Sequence, residues 1–134
     1  MQRYQSWPGV VGAGLVAMAA TVSPLPAQAN AVDAYKFDAA KGTFEFRTDT
    51  DVIPKAMLLQ NPTRVVLDLP GIQVKNPRKE QNSSGPLKEI RLGQFEPGTA
   101  RIVLEFKPDY QPTAGQMNVR GISYRNWVLE MPRN

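Results

Sequence analysis

The sequence predicts an all-β fold, a small β-sandwich of two pseudo-symmetric antiparallel sheets preceded by a signal peptide. One phrase of alternating apolar and polar residues occurs three times, as TRVVLDLP at Thr63–Pro70, ARIVLEF at Ala100–Phe106 and NWVLEMP at Asn126–Pro132. Prolines and glycines stand at the ends of many short apolar runs, as is typical of strands joined by turns. No stretch after the leader keeps the i, i+3, i+4, i+7 apolar spacing of a helix for three turns.

Residues 1–29 have the composition of a secretory signal peptide. Arg3 is the only charge before a 13-residue apolar run, Val10–Val22, and Ala27-Gln28-Ala29 has the small-x-small pattern that signal peptidase accepts. A helix of about 13 residues rises only about 20 Å, so an uncleaved anchor across a hydrocarbon core of about 30 Å is disfavoured. No Arg-Arg pair is present, which favours Sec-type export. We therefore predict an exported domain of residues 30–134 in the periplasm or cell envelope, with no stable membrane span.

The composition also narrows the chemistry. The chain has no Cys and no His, so neither a Ser-His-Asp nor a Cys-His arrangement can form, and zinc sites made only of carboxylates are rare. We expect no catalytic residues, no metal site and no cofactor. The formal charge of +4 favours anionic polymers, but the dense Lys/Arg runs of nucleic-acid binders are absent. Nucleic acid is therefore not an expected partner.

The expected strands follow the apolar runs in order. We predict strands at Ala34–Asp38, Thr43–Arg47, Lys55–Leu59, Thr63–Leu69, Leu87–Leu92, Ala100–Phe106, Met117–Val119 and Trp127–Met131. Residues Val52–Gln60 could instead hold one helical turn. The polar run Lys75–Gly85 is interpreted as a solvated connection that ends in a tight turn at Gly85-Pro86.

Side chains alternate across a strand, so each copy of the repeated phrase has an inward and an outward face. The large apolar residues expected to face inward and form the core are Val65, Leu67, Leu69, Ile102, Leu104, Phe106, Trp127, Leu129 and Met131. The residues expected to face outward are Arg64, Val66, Asp68, Arg101, Val103, Glu105, Asn126, Val128 and Glu130.

The repetition extends upstream of the first two copies. Lys55–Leu69 and Lys88–Phe106 each contain a strand, a proline turn and a second strand, and Lys55-x-Met57-x-Leu59 aligns with Lys88-x-Ile90-x-Leu92. Two related hairpins indicate internal pseudo-symmetry within one domain rather than a solenoid. The expected arrangement is two small sheets that face each other.

The acidic residues give little support to an enzyme. Asp68, Glu105 and Glu130 could suggest a glycosidase, which needs two carboxylates about 5 to 9.5 Å apart. Each occupies the same place in a repeated strand, however, where an acid ordinarily belongs to the solvated face. Asp49 and Asp51 are interpreted as a polar turn and not a calcium loop, because no further spaced ligand follows.

The segment IRLGQF, Ile90–Phe95, is the best candidate for a binding surface. A glycine inside a strand pattern indicates a bulge, so Gly93 should interrupt the strand and leave Gln94 and Phe95 at a rim. Arginines offer forked donors to carboxylates, an amide matches N-acetyl and peptide groups, and an aromatic ring can stack on a sugar. The alternative is that Phe95 caps the core and the arginines are ordinary surface charges. The candidate binding residues are Arg64, Arg91, Gly93, Gln94, Phe95 and Arg101.

Together, the segments NPTRVVLDLPG, IRLGQF, TARIVLEF and WVLEMP resemble the AMIN domain of exported N-acetylmuramoyl-L-alanine amidases, notably cyanobacterial ones, and of some secretins. The resemblance covers roughly Ala31–Pro132. It implies a β-sandwich of two symmetric sheets that binds peptidoglycan and places a cell-wall enzyme at the septum. The arginine-glycine signature of the family falls on Arg91 and Gly93, and its strand pattern falls on Arg64–Asp68 and Arg101–Glu105.

The resemblance sets the functional expectation. It implies a non-catalytic domain that binds the glycan and stem peptides of peptidoglycan, as the N-terminal module of an amidase in wall remodelling and division. The zinc-hydrolase domain of such an amidase, with its His and Glu ligands, is not contained in these residues, so the chain is expected to be either a fragment or a stand-alone module. The alternative is a module that docks onto other envelope or division proteins, as in secretin assemblies.

Overall fold

The computed structural model describes residues 31–83 and 85–133. The predicted signal peptide lies outside this part of the chain. Within it the elements are β1 (Val32–Asp38), β2 (Thr43–Thr48), β3 (Lys55–Leu59), β4 (Arg64–Pro70), β5 (Arg78–Gln81), β6 (Leu87–Glu96), β7 (Thr99–Phe106), a 3-10 turn (Ala114–Gln116), β8 (Asn118–Ser123) and β9 (Asn126–Glu130). No helix in the described ranges is long and apolar enough to cross a membrane.

The strands form two antiparallel sheets. The four-stranded sheet has the order β1-β2-β9-β8, and the five-stranded sheet has the order β3-β4-β7-β6-β5. Apolar side chains from both sheets belong to a single buried cluster, so the sheets pack face to face around one core. The predicted all-β sandwich is confirmed.

The core includes the nine side chains that the alternation predicted. All nine residues expected to face inward are buried and belong to the central cluster, with Leu67, Leu104 and Trp127 fully buried. Two residues on the outward faces, Val66 and Val128, are buried as well, although they lie outside that cluster. Each lies in the middle of its sheet, where side chains of the neighbouring strands can cover it.

Strand β5 differs from the prediction of a solvated connection. Its residues are all exposed, so no apolar pattern marks it in the sequence. Its backbone pairs with β6, in the register Arg78 with Leu92 through Gln81 with Glu89. The hydrogen bonds of an edge strand need no buried side chains, and a pattern based on burial therefore misses it. The alternative helical turn within Val52–Gln60 is wrong, since this region contains β3.

The two related hairpins lie side by side in the five-stranded sheet and do not face each other across the core. Strands β4 and β7, which carry the first two copies of the repeated phrase, pair at the centre, with Val66 opposite Val103. Strand β3 flanks β4 and strand β6 flanks β7, so the order β3-β4-β7-β6 has an internal two-fold pattern. The third copy, in β9, belongs to the other sheet.

The hairpins align differently in the structure than in the sequence. Met57 pairs with Val66 on the outward face and is exposed, whereas Ile90 pairs with Leu104 and is buried. An irregularity between Leu87 and Glu89 shifts the register of β6 by one residue relative to the sequence alignment. In the internal two-fold pattern, the position of Met57 in β3 therefore corresponds to that of Arg91 in β6. The position of Leu59 corresponds in the same way to that of Gly93.

Candidate functional site

A groove of about 360 Å³ runs along the outward face of β6. Five of the six predicted binding residues line this β6 groove, namely Arg91, Gly93, Gln94, Phe95 and Arg101. Arg78 and Lys79 of β5 also line it. The groove therefore lies over the junction of β5, β6 and β7, on the side of the sheet that faces away from the core.

Gly93 does not interrupt the strand, so that prediction is wrong. Strand β6 continues to Glu96, and Gly93 pairs with Arg101 in the ladder. The register shift lies further along, between Gln94 and Glu96. A Cβ atom placed on Gly93 would meet no neighbouring atom within 4 Å. The glycine therefore leaves open space above the strand, where another residue type would fill the groove.

Phe95 forms an aromatic wall of the groove. Its side chain is 48% exposed, and the Cζ atom of Arg101 lies 3.6 Å from the centroid of its ring. Arg101 is itself held by Asp68, with Nε and Nη2 donating to the two carboxylate oxygens at 2.7 and 3.0 Å. These hydrogen bonds raise the pKa of Arg101, which stays charged. The ion pair thus fixes a cation against one face of the ring and holds the ring in place.

Arg91 lies between two carboxylates. Its Nη1 donates to Glu89 Oε2 at 2.6 Å and to Glu105 Oε1 at 3.1 Å. Glu89 and Glu105 are directly opposite each other on β6 and β7, where two like charges repel. The hydrogen bonds from Arg91 and from Gln81 lower the pKa of Glu89. Arg91 therefore relieves a repulsion within the sheet in addition to lining the groove.

The side-chain amide of Gln94 is engaged with the backbone. Its Oε1 accepts a hydrogen bond from Val74 N at 2.7 Å, and its Nε2 donates to Ile72 O at 3.3 Å and Glu96 O at 3.0 Å. These bonds tie the segment after β4 to the end of β6. The amide was predicted to match N-acetyl groups, but these contacts give Gln94 a positioning role beside the groove.

Arg64 lies away from the other predicted residues. It is at the start of β4, directly opposite Glu105 of β7, and does not line the groove. The carboxylate of Glu105 instead contacts Arg91 and Lys88, at 3.1 and 3.5 Å. Within the described part of the chain, Arg64 has no ion-pair partner closer than 4.0 Å. The structure therefore brings together five of the six predicted residues and leaves Arg64 outside.

Lys79 and Arg78 were missed because β5 was interpreted as a loop. Alternation along a strand separates them: Lys79 lies on the outward face, while Arg78 reaches the Tyr35 ring of β1, with 5.9 Å between Cζ and the ring centroid. The only sequence signal was the charged run RKE itself, which has no apolar residue to reveal a strand.

The acids considered for catalysis or for calcium binding all have partners. Asp68, Glu105 and Glu130 form ion pairs with arginines at 2.7, 3.1 and 3.0 Å. Asp49 accepts a hydrogen bond from Ala31 N, and Asp51 pairs with an arginine at 2.9 Å. Among residues 31–83 and 85–133, no cluster of three or more acids could hold a metal ion.

Comparison with known proteins gives one family. The family model of the AMIN domain matches residues 31–130. The matched region contains all nine described strands, from the start of β1 to the end of β9. No curated protein matches the chain.

Proposed function

The chain belongs to the AMIN domain family, and from this membership we propose that it binds peptidoglycan through the β6 groove and places a cell-wall enzyme on its substrate. AMIN domains are non-catalytic modules that bind or target peptidoglycan, and they occur in exported envelope proteins. The proposal adds a surface to this family property, together with residues whose roles can be tested.

The exposed ring of Phe95 is the observation that carries the proposal. A large apolar side chain at the surface is an ordinary feature by itself, but this one is held from behind by the Arg101–Asp68 ion pair. Such fixation reduces the conformational entropy that is lost when a ligand binds. The open face of the ring can stack on the apolar face of a sugar, and the space above Gly93 gives the sugar room.

Co-sedimentation with purified peptidoglycan sacculi tests the groove. We expect Phe95→Ala to weaken binding, since it removes the stacking surface. Ile122→Ala is the matched control, because Ile122 is equally exposed, at 48%, and lies on β8 of the other sheet. Equal binding by the wild type and Phe95→Ala would contradict the assignment of the groove. Absence of wild-type binding at low salt would contradict peptidoglycan binding as a whole.

We also propose the wider context of the domain. Residues 1–29 are a Sec-type signal peptide removed after Ala29, residues 30–134 form the AMIN domain in the periplasm, and the domain is the N-terminal module of an N-acetylmuramoyl-L-alanine amidase. N-terminal sequencing of the exported protein tests the cleavage site. Reading the genomic DNA downstream of the Asn134 codon tests the amidase, since an in-frame domain rich in His and Glu zinc ligands is expected there.

A second candidate function is docking onto another envelope protein along a sheet edge. Strands β3 and β8 are edges of the two sheets, and residues of both line one small apolar slot. Ile53, Met57 and Ile122, in or next to these strands, are 52%, 39% and 48% exposed. An incoming strand could pair with either edge. The sacculus experiment separates the two functions, because a docking module needs no affinity for the isolated wall.

A further inference from the structure

We propose that Lys79 and Arg91 form a carboxylate-binding site in the β6 groove, and that its ligands are the free carboxylates of peptidoglycan stem peptides. The inference rests on the proposed function and deepens it, since it names the part of the wall polymer that is recognised. It also assigns a binding role to Lys79 of β5, a strand that is unremarkable in the sequence.

Lys79 and Arg91 are directly opposite each other in the β5–β6 ladder. Residues so placed have Cβ atoms about 4.5–5.5 Å apart, and like charges there destabilise the sheet. Lys79 is exposed, and no carboxylate of the described residues lies within 4.0 Å of its ammonium group. It acts on Glu89 only at longer range, where its charge contributes to the lowered pKa of that carboxyl. Among the described residues Lys79 therefore has no ion-pair partner, whereas Arg91 is paired with Glu89 and Glu105.

The neighbouring pair of opposed acids in the same sheet, in contrast, is bridged by cations. Glu89 and Glu105 also oppose each other, but Arg91 donates to both and Lys88 lies 3.5 Å from Glu105. The carboxylates of this cluster thus form ion pairs with Arg91 and Lys88, and none of them forms one with Lys79. An anion bound in the groove would give Lys79 an ion-pair partner.

Arg91 retains the donors that such an anion needs. A guanidinium has five N–H bonds, and the two on Nη1 are directed to Glu89 and Glu105. The Nε–H and Nη2–H₂ groups have no partner among the described residues, and the side chain is 37% exposed. These groups form one edge of the guanidinium, which matches the two oxygens of a carboxylate. The two acids hold Arg91 in position, so little ordering is required on binding.

The lining of the groove favours a carboxylate next to a sugar. Lys79, Arg91 and Arg101 line it from the outward face, and none of the described lining residues is acidic. Phe95 stands at the same groove and offers its apolar ring. In peptidoglycan, short peptides with carboxylates extend from a glycan chain. A sugar on Phe95 and a peptide carboxylate between Lys79 and Arg91 would place both parts of the polymer in one groove.

Sacculi with modified acids test the inference. The purified exported chain is sedimented with sacculi that have been treated with hydrofluoric acid to remove attached phosphate polymers. A second batch is then amidated with carbodiimide and ammonia, which neutralises the peptide carboxylates. We expect amidation to weaken wild-type binding, and Lys79→Gln to weaken binding to the unamidated batch by roughly two- to fivefold. The same variant should bind the amidated batch as the wild type does, and Lys79→Arg should restore binding.

Two controls separate binding from structure. Lys36→Gln removes an exposed strand lysine from β1 of the other sheet and should bind as the wild type does. Thermal unfolding of Lys79→Gln should occur near the wild-type temperature, because Lys79 is exposed and forms no ion pair with the described residues. A lower melting temperature with equal loss on both batches would show a structural role for Lys79 and overturn the inference.

The remaining outcomes are also decisive. Equal wild-type binding to amidated and unamidated sacculi, or wild-type affinity of Lys79→Gln, overturns the carboxylate site, while Phe95-dependent binding would still support the proposed function. Lys79-dependent binding that is present before hydrofluoric acid treatment and lost after it identifies a phosphate polymer and overturns the carboxylate assignment. If the wild type binds no sacculi at all, the proposed function fails together with the inference.

Discussion

The hairpins β3–β4 and β6–β7 have similar interiors and different exteriors. On the core side, Leu67 of β4 and Leu104 of β7 are equivalent by position and are both fully buried. On the outward side, Met57 and Leu59 of β3 are replaced in the ladder by Arg91 and Gly93 of β6. Packing between the sheets constrains the inward side chains of both copies in the same way. The outward side chains, in contrast, need to fit only the neighbouring side chains on the same face of their own sheet.

The two arginine–acid pairs at the centre of the sheet show the same divergence. Arg101 is opposite Asp68 and Arg64 is opposite Glu105, in positions that the internal two-fold exchanges. The first pair forms two hydrogen bonds, and the second forms none because Glu105 is bound to Arg91 and Lys88. Equivalent positions therefore carry different chemistry, and the difference originates in β6.

The largest expected effect is in the shared interior. Leu67→Ala and Leu104→Ala should each lower the free energy of unfolding by about 2–5 kcal/mol, because each leaves a cavity between the sheets. The two losses should be of similar size if the hairpins share one scaffold. Chemical denaturation followed by circular dichroism measures both. A loss below about 1 kcal/mol in only one variant would show that the interiors are not equivalent.

The arginines should respond unequally. Arg101→Ala should cost about 1–2 kcal/mol of stability, because it removes a two-pronged ion pair with partly buried Asp68 and the cation against Phe95. Arg64→Ala should cost less than about 0.5 kcal/mol, since it breaks no ion pair. Denaturation of the two variants side by side gives the comparison. Equal losses would mean that the ion pair with Asp68 contributes nothing to stability.

Exchanging one residue between the copies should affect binding alone. Gly93→Leu places in β6 the residue found at the equivalent position of β3, and its side chain would occupy the groove. We expect sacculus binding to fall about tenfold, or about 1.4 kcal/mol. The melting temperature should stay the same or rise, because glycine weakens a strand. Gly93→Ala, which adds one methyl group, is the graded control and should bind at an intermediate level.

The smallest expected effect concerns pH. The hydrogen bond from Arg91 lowers the pKa of Glu89, so ionised Glu89 stabilises the folded state. This contribution is fully present above the unfolded pKa of about 4.5 and is lost as the pH falls through the lower folded value. The difference in stability between the wild type and Glu89→Gln should therefore shrink on acidification below about pH 4.5. In β3 the equivalent residue is Lys55, so the β3–β4 hairpin has no pair of opposed acids at this position.

Much of the site could be predicted because it lies on one strand. Arg91, Gly93, Gln94 and Phe95 lie within five residues of β6, and alternation fixes which of them face outward. Their partners could not be predicted in this way. Asp68, Glu105 and Lys79 belong to other strands, and their distance from β6 depends on which strands pair and in which register. For this reason only the fold shows that the Gln94 amide is hydrogen-bonded to the backbone and that the Lys79 cation lies in the groove.

The sequence by itself determined the inward face of the three repeated strands. Alternation has a fixed period of two residues, so each apolar run in the repeated phrase specifies an inward face without any knowledge of its neighbours. Only the tertiary structure decided that both hairpins share one sheet, that β6 is shifted by one residue, and that β5 adds Lys79 to the groove. Backbone hydrogen bonds form between strands of almost any sequence. Which strands pair, and in which register, therefore depends on the arrangement of the whole chain that buries the apolar side chains and also pairs the backbone groups of the strands.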